Sequence, residues 1–163
     1  ELDVSDDELE IIGLDLGADV PFFIKGKTQI GNGVGEILKP IETIINGCYL
    51  LVAPDLHIDT KWAYGELKNI LDRPNEVVNF LGFIRKEIIP FELFENDFEA
   101  IVVPAYPEIG QIKNSLRVHG ARFASLSGSG STVFGVFDED ADAKSAESHF
   151  SSRYNTFITN PIL

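Results

Sequence analysis

Methionine is absent from this 163-residue chain, cysteine and tryptophan occur once each, and basic side chains number 13 against 26 acidic ones. Each scarcity excludes something. The lone Cys48 has no partner for an intramolecular disulfide and suits a reducing compartment. Set in the apolar run GCYLLVAP, it reads as a small buried hydrophobe and not as a nucleophile. A net charge of −13 and a pI near 4.5, with no basic stripe, argue against nucleic acid as a partner. A nucleotide, which needs only a local set of donors, stays admissible. No stretch reaches the ~18 continuous apolar residues of a membrane helix, and no signal peptide is visible. His57, His119 and His149 lack metal-ligand spacing, so no dedicated zinc site is expected. Asp138 to Asp142, DEDAD, lacks the glycine and terminal Glu of a calcium loop and reads as a solvated helix start. The chain begins at Glu1, and a piece of a longer protein is expected.

What is present is ample for a core: 44% hydrophobic residues, with 12 Phe. Ser5 three residues before Glu8 forms a capping-box pattern that predicts a helix ended by Gly13. The stretch LGADVPFFIKGKTQI is expected to turn at Gly17 and run as strand, because Pro21 biases Val20 toward extended backbone. GNGVGEILKPIE reads as a hairpin turn, with Gly31, Gly33 and Gly35, and a second strand. GCYLLVAP predicts a strand buried on both faces. Helices are expected with Thr60 as N-cap, then over NEVVNFLGFIRKEI with Val77, Leu81, Ile84 and Ile88 on one face. NDFEAIVV places Asn96 and Glu99 at capping-box spacing. Pro107 opens a helix striped by Ile109, Ile112 and Leu116 and stopped at Gly120. ARFASLS and STVFGVF alternate as strands, followed by a polar-faced helix and the strand NTFITN. The expected fold class is α+β, with helices on one face of an antiparallel sheet after residue 45 and a separate helix–strand–hairpin unit before it.

Three stretches bear on chemistry. SGSGS, Ser127 to Ser131, lacks the lysine of a Walker loop, and a strand, not a helix, follows it. A plain hairpin turn and an anion-binding nest of small-residue N–H groups both stay open. Asp19 in GADVPFF can cap local N–H groups or act as a fixed acceptor for a substrate hydroxyl proton. APDLHIDTKWAY leaves a strand end through a polar loop, where ligand positions are common; Tyr64 there suits either core packing or a base stack. NDFE reads as helix capping.

In combination and order, LGADVPFFIKGKTQIGNGVGEILKPIE, YLLVAPDLHIDTKWAY, NDFE and LSGSGSTVFGVF resemble the second half of the 4-diphosphocytidyl-2-C-methyl-D-erythritol kinase family. That family is a branch of the GHMP superfamily, with galactokinase, homoserine kinase, mevalonate kinase and phosphomevalonate kinase. The resemblance spans essentially the whole chain. It implies ATP-dependent phosphorylation of the 2-hydroxyl of a cytidine-diphosphate-linked methylerythritol, in non-mevalonate isoprenoid synthesis, with ATP and Mg²⁺ as cofactors. It places Asp19 as catalytic aspartate, Thr60 and Tyr64 on the substrate side with Tyr64 against the cytosine ring, and Gly128, Ser129, Gly130, Ser131 and Thr132 as support beside the phosphate loop. Thr60-Lys61 and Pro54-Asp55 depart from the family's usual Thr-Pro and Pro-Gly. The family's K-x-N segment and its P-x-x-x-G-L-G-G-G-S-S-N loop are not among these residues. By the same resemblance, residues 1–45 end an N-terminal ATP-binding domain and 46–163 form a C-terminal ferredoxin-like, substrate-side domain. The partner implied is the N-terminal half of the same protein, without which no activity is expected. Bacterial cytoplasm, or plastid stroma in a eukaryote, is the implied location. Another GHMP small-molecule kinase and a non-catalytic ferredoxin-like binding module are the alternatives.

Overall fold

A computed structural model describes residues 4–32, 37–41, 47–70, 91 and 94–161. The chain divides into two compact units, Glu1–Ile44 and Ile45–Pro161. The helix expected over Val77 to Ile88, and the turn glycines Gly33 and Gly35, lie outside the described residues.

In the first unit, α1 (Asp6–Leu16) starts on the expected capping box: Ser5 Oγ accepts from the Glu8 N–H, and the Glu8 carboxylate accepts from the Ser5 N–H at 3.0 Å. Three acidic residues in its first turn complement the helix dipole. Gly13 does not end this helix, which runs to Leu16 with Gly17 as C-cap. Gly13 instead serves packing. A Cβ there would lie 2.9 Å from Val20 Cγ1 and 3.0 Å from Ile24 Cδ1, so its bare backbone lets α2 sit close.

That second helix, α2 (Val20–Lys25), corrects the strand expected after Gly17. Pro21 stands in its first turn, where the missing N–H would have had no partner anyway. The restriction that proline places on the residue before it is a bias, and here the helix start overrides it. Strand structure begins only at β1 (Gln29–Asn32), which pairs antiparallel with β2 (Ile37–Pro40), as the hairpin pattern predicts.

The second unit runs β3 (Cys48–Ala53), α3 (Thr60–Ile70), α4 (Glu99–Ala105), α5 (Pro107–Val118), β4 (Phe123–Leu126), β5 (Val133–Phe137), α6 (Asp140–Glu147) and β6 (Asn155–Thr159). The sheet order is β4-β5-β3-β6, with every neighbouring pair antiparallel. This is the split βαβ of a ferredoxin-like fold, with β5 inserted between β3 and β4. Cys48, Leu50 and Val52 on β3, with Val133 and Phe137 on β5, turn one face into the core. The Ile109, Ile112 and Leu116 stripe of α5, Ala143 and Ala146 of α6, and Ala63, Leu67, Ile101 and Val102 of α3 and α4 join that core. Each such Leu, Ile or Phe removed from water stabilises the fold by about 1.5–3 kcal/mol.

β3 is not buried on both faces. Tyr49, Leu51 and Ala53 are only half-buried, giving the alternation of an antiparallel strand and not the doubly covered strand expected. Cys48 is buried as its sequence context predicts, and burial pushes its thiol up to about 11, with Asp140 adding to the shift. It is an inert core thiol. Among the described residues no helix is long and apolar enough to cross a membrane.

Candidate functional site

The glycine-rich stretch is a tight connection between β4 and β5. The Ser127 N–H donates to Thr132 O at 2.8 Å, and the Gly130 N–H donates back to Ser127 O at 3.0 Å. Two glycines make the shape, at φ +56° for Gly128 and +101° for Gly130, both in the left-handed region. Gly130 is also boxed in: a Cβ there would meet Ile58 Cδ1 at 2.8 Å and Leu126 Cδ1 at 3.2 Å.

Three other segments close on this loop. Ser131 Oγ donates to Pro54 O at 3.5 Å, where β3 ends. Thr60 Oγ1 and Ser129 Oγ share a hydrogen bond at 3.1 Å, joining the start of α3 to the loop. Thr60 is not the N-cap it was expected to be. Asp59 takes that role, its carboxylate accepting from the Trp62 N–H at 2.6 Å, and so Thr60 is released to face the loop. Tyr64 lies one helical turn further along the same face. It is 61% exposed, outside the core, with its ring edge-to-face on Phe98 at 4.9 Å.

The third segment is NDFE. Asn96 Oδ1 accepts from the Phe98 N–H, while its amide nitrogen donates to Leu126 O at 2.8 Å and Gly128 O at 2.9 Å. Glu99 forms no capping box. One carboxylate oxygen accepts from Ser125 Oγ and the Leu126 N–H, both at 2.9 Å, and the other pairs with Lys113. The capping expectation fails because this carboxylate finds stronger partners across the fold than the nearby amide. These contacts, some thirty residues apart in sequence, left no local signal.

Burial pushes the Glu99 carboxyl up, but Lys113, the Leu126 N–H and Ser125 outweigh it and hold the group below its ordinary range. A depressed folded pKa contributes stability that is complete above the unfolded value of about 4.3 and is lost as pH falls through the folded one. The melting temperature of Glu99→Gln should therefore lie below that of the parent at pH 7, with the gap closing as pH falls below about 4. A gap independent of pH would contradict the assignment.

Asp19 lies in the first unit, exposed, at the N-cap position of α2. Its side chain makes no cap hydrogen bond, so the capping reading of this carboxylate is not realised. The second unit thus brings together Thr60, Tyr64 and the 128–132 loop. His119 and His149, unrelated by spacing, lie against each other with ring centroids 3.8 Å apart and planes tilted by 38°. Among the described residues no group of three or more His, Cys, Asp and Glu side chains could hold a metal ion.

Residues 88–156 match the family model described as GHMP kinases C terminal. A 4-diphosphocytidyl-2-C-methyl-D-erythritol kinase from Syntrophotalea carbinolica is 40% identical over 153 residues, covering 92% of this chain and 54% of the relative. Its counterpart from Prosthecochloris aestuarii is 36% identical, over 97% of the chain and 57% of the relative. The chain carries a match to the GHMP kinase C-terminal family over residues 88–156. It spans about half the length of these curated relatives, as their C-terminal part. It superposes on a crystal structure of 4-(cytidine 5'-diphospho)-2C-methyl-D-erythritol kinase with a TM-score of 0.79 and 26% identity. That match covers 97% of this chain and 57% of the other. Homoserine kinase from Cytophaga hutchinsonii, at TM-score 0.62 and 13% identity over 99% of this chain and 59% of that one, shares the fold.

Proposed function

We propose that this chain is the C-terminal portion of an ATP-dependent kinase that phosphorylates the 2-hydroxyl of 4-diphosphocytidyl-2-C-methyl-D-erythritol. The observation that carries the reading is the 40% identity to a kinase of that name, across nearly the whole chain. The geometry supports it: a small-residue loop tied by Thr60 to the helix that also presents Tyr64.

In this reading Asp19 accepts or orients the proton of the attacking hydroxyl. A bond forms between that oxygen and the γ-phosphorus, the bond to the β–γ bridging oxygen breaks, and ADP leaves. Gly128, Ser129, Gly130, Ser131 and Thr132 support the site beside the transferred phosphate. Their fit is that of a supporting wall: the space where a Gly128 Cβ would stand is open, and of the hydrogen-bonded Ser129 and Thr60 hydroxyls one keeps its hydrogen to donate. Thr60 and Tyr64 hold the cytidine side. Mg²⁺ bound with ATP supplies charge neutralisation on the β- and γ-phosphates. Residues 1–45 complete an ATP-binding domain whose remainder, with the principal phosphate loop, lies in the N-terminal half of the protein. Residues 46–163 form the substrate-side domain. The chain alone is inactive, and the complete protein works in the cytoplasm on the non-mevalonate route to isoprenoids.

A panel of acceptors tests the reading. The complete natural protein should show kcat/KM for the cytidine-linked methylerythritol at least about 100-fold above homoserine, mevalonate or phosphomevalonate, since sites built to hydrogen-bond a substrate discriminate by that much or more. A preference for one of the others would move the chain to a different GHMP kinase. ATP-independent binding without turnover would make it a binding module.

A further inference from the structure

Leu126 is the last residue of β4, at the end of the four-stranded sheet, where the strand enters the glycine loop. The Ser127 N–H bonds across the hairpin to Thr132 O, so the alternation of an antiparallel ladder turns both polar groups of Leu126 away from β5. An edge group left so would need water or another chain. Here the NDFE turn takes both. The Glu99 carboxylate accepts from the Leu126 N–H, and the Asn96 amide donates to the Leu126 carbonyl. The same Asn96 NH₂ spends its second hydrogen on Gly128 O, the carbonyl of the first positive-φ residue in the loop. Asn96 Oδ1 is meanwhile held by the Phe98 N–H, and Glu99 by Ser125 and Lys113. Neither side chain can swing without losing several partners.

We propose that Asn96 and Glu99 are positioning residues for phosphoryl transfer, forming a clamp that fixes the conformation of the Ser127–Thr132 loop from behind. They touch no reacting atom. They set where the loop stands, and through Ser129 they set where Thr60 stands. The proposal rests on the functional reading above for its effect on turnover, but not for its effect on loop order.

Asn96→Asp is the informative variant. It keeps the oxygen that caps the turn, yet replaces the donor with a carboxylate oxygen facing two carbonyls. In the complete natural protein, amide hydrogen exchange of Gly128 to Ser131 should rise at least about tenfold. Turnover should fall about 10- to 100-fold with KM for the acceptor changed less than about threefold, as expected when reacting groups are misplaced while the substrate still binds. Glu99→Ala should show the same signature, and the double variant should lose no more than the worse single one, because both act on Leu126. If Asn96→Asp does not fold, Asn96→Ala removes the donor without adding charge and gives the same readouts. Unchanged loop exchange would overturn the clamp. Faster exchange with unchanged kcat would overturn its role in catalysis. If the parent protein phosphorylates no acceptor, the kinase reading fails, and the exchange data alone then decide whether the clamp exists.

Discussion

Asp19→Asn should lower the turnover of the complete protein by about 10²- to 10⁴-fold, the range general-base groups supply. The substitution keeps size and shape and removes only the charge and the proton-accepting capacity. Two features make Asp19 the position to test. Its carboxylate stands at the head of α2 without making the cap hydrogen bond that would explain an Asp there in structural terms. It is also exposed, so the isosteric change leaves no buried group unpaired and should cost little stability. ATP affinity should stay within about threefold of the parent, because in this reading the group meets the acceptor hydroxyl and not the nucleotide. Equilibrium nucleotide binding and single-turnover rates separate the two effects. Turnover close to that of the parent would remove Asp19 from the catalytic machinery.

The second large effect is expected at Gly130. Placing alanine at φ +101° costs about 1–2 kcal/mol in backbone strain. Its methyl would also stand 2.8 Å from Ile58 Cδ1 and 3.2 Å from Leu126 Cδ1. Ile58 is buried at 5% exposure, so its side chain yields only by disturbing the core, which adds about 1–3 kcal/mol. Gly130→Ala should therefore destabilise by roughly 2–5 kcal/mol and also displace the loop that Thr60 touches. Gly128→Ala is the control. At φ +56°, with nothing within 4 Å of where its Cβ would stand, it carries the strain without the clash and should cost only about 1–2 kcal/mol. Chemical denaturation of the two variants checks the difference. Equal losses would mean that the contact with Ile58 does not constrain the loop.

The features legible in the sequence were those whose cause is local. Ser5 and Glu8 are one helical turn apart, Pro107 opens α5, and the Ile109–Ile112–Leu116 stripe follows the helical period. The alternation around Ser127 to Ser131 gave strand–turn–strand correctly, and so the α+β layout followed. Features fixed by distant partners were not legible. Pro21 is compatible with both a strand entry and a helix start, and the close seat of Val20 on Gly13 accompanies the second. Asp59 and Thr60 are both good N-caps by type; in the fold Asp59 caps, and the Thr60 hydroxyl bonds to Ser129, sixty-nine residues on, a partner no local pattern shows. NDFE carries a capping pattern, yet its amide and carboxylate are spent on β4 and the loop beyond it. The proposed chemistry rests on likeness to a kinase family; only the fold shows which side chains hold the loop in place.

The most direct measurement is ³¹P NMR of the reaction of the complete natural protein with Mg²⁺–ATP and 4-diphosphocytidyl-2-C-methyl-D-erythritol. The predicted result is loss of the γ-phosphorus signal, matched by a new monophosphate ester on the 2-hydroxyl, with that signal nearly abolished in Asp19→Asn. ATP left unconsumed beside intact acceptor, or phosphate appearing only as free inorganic phosphate, would contradict the account.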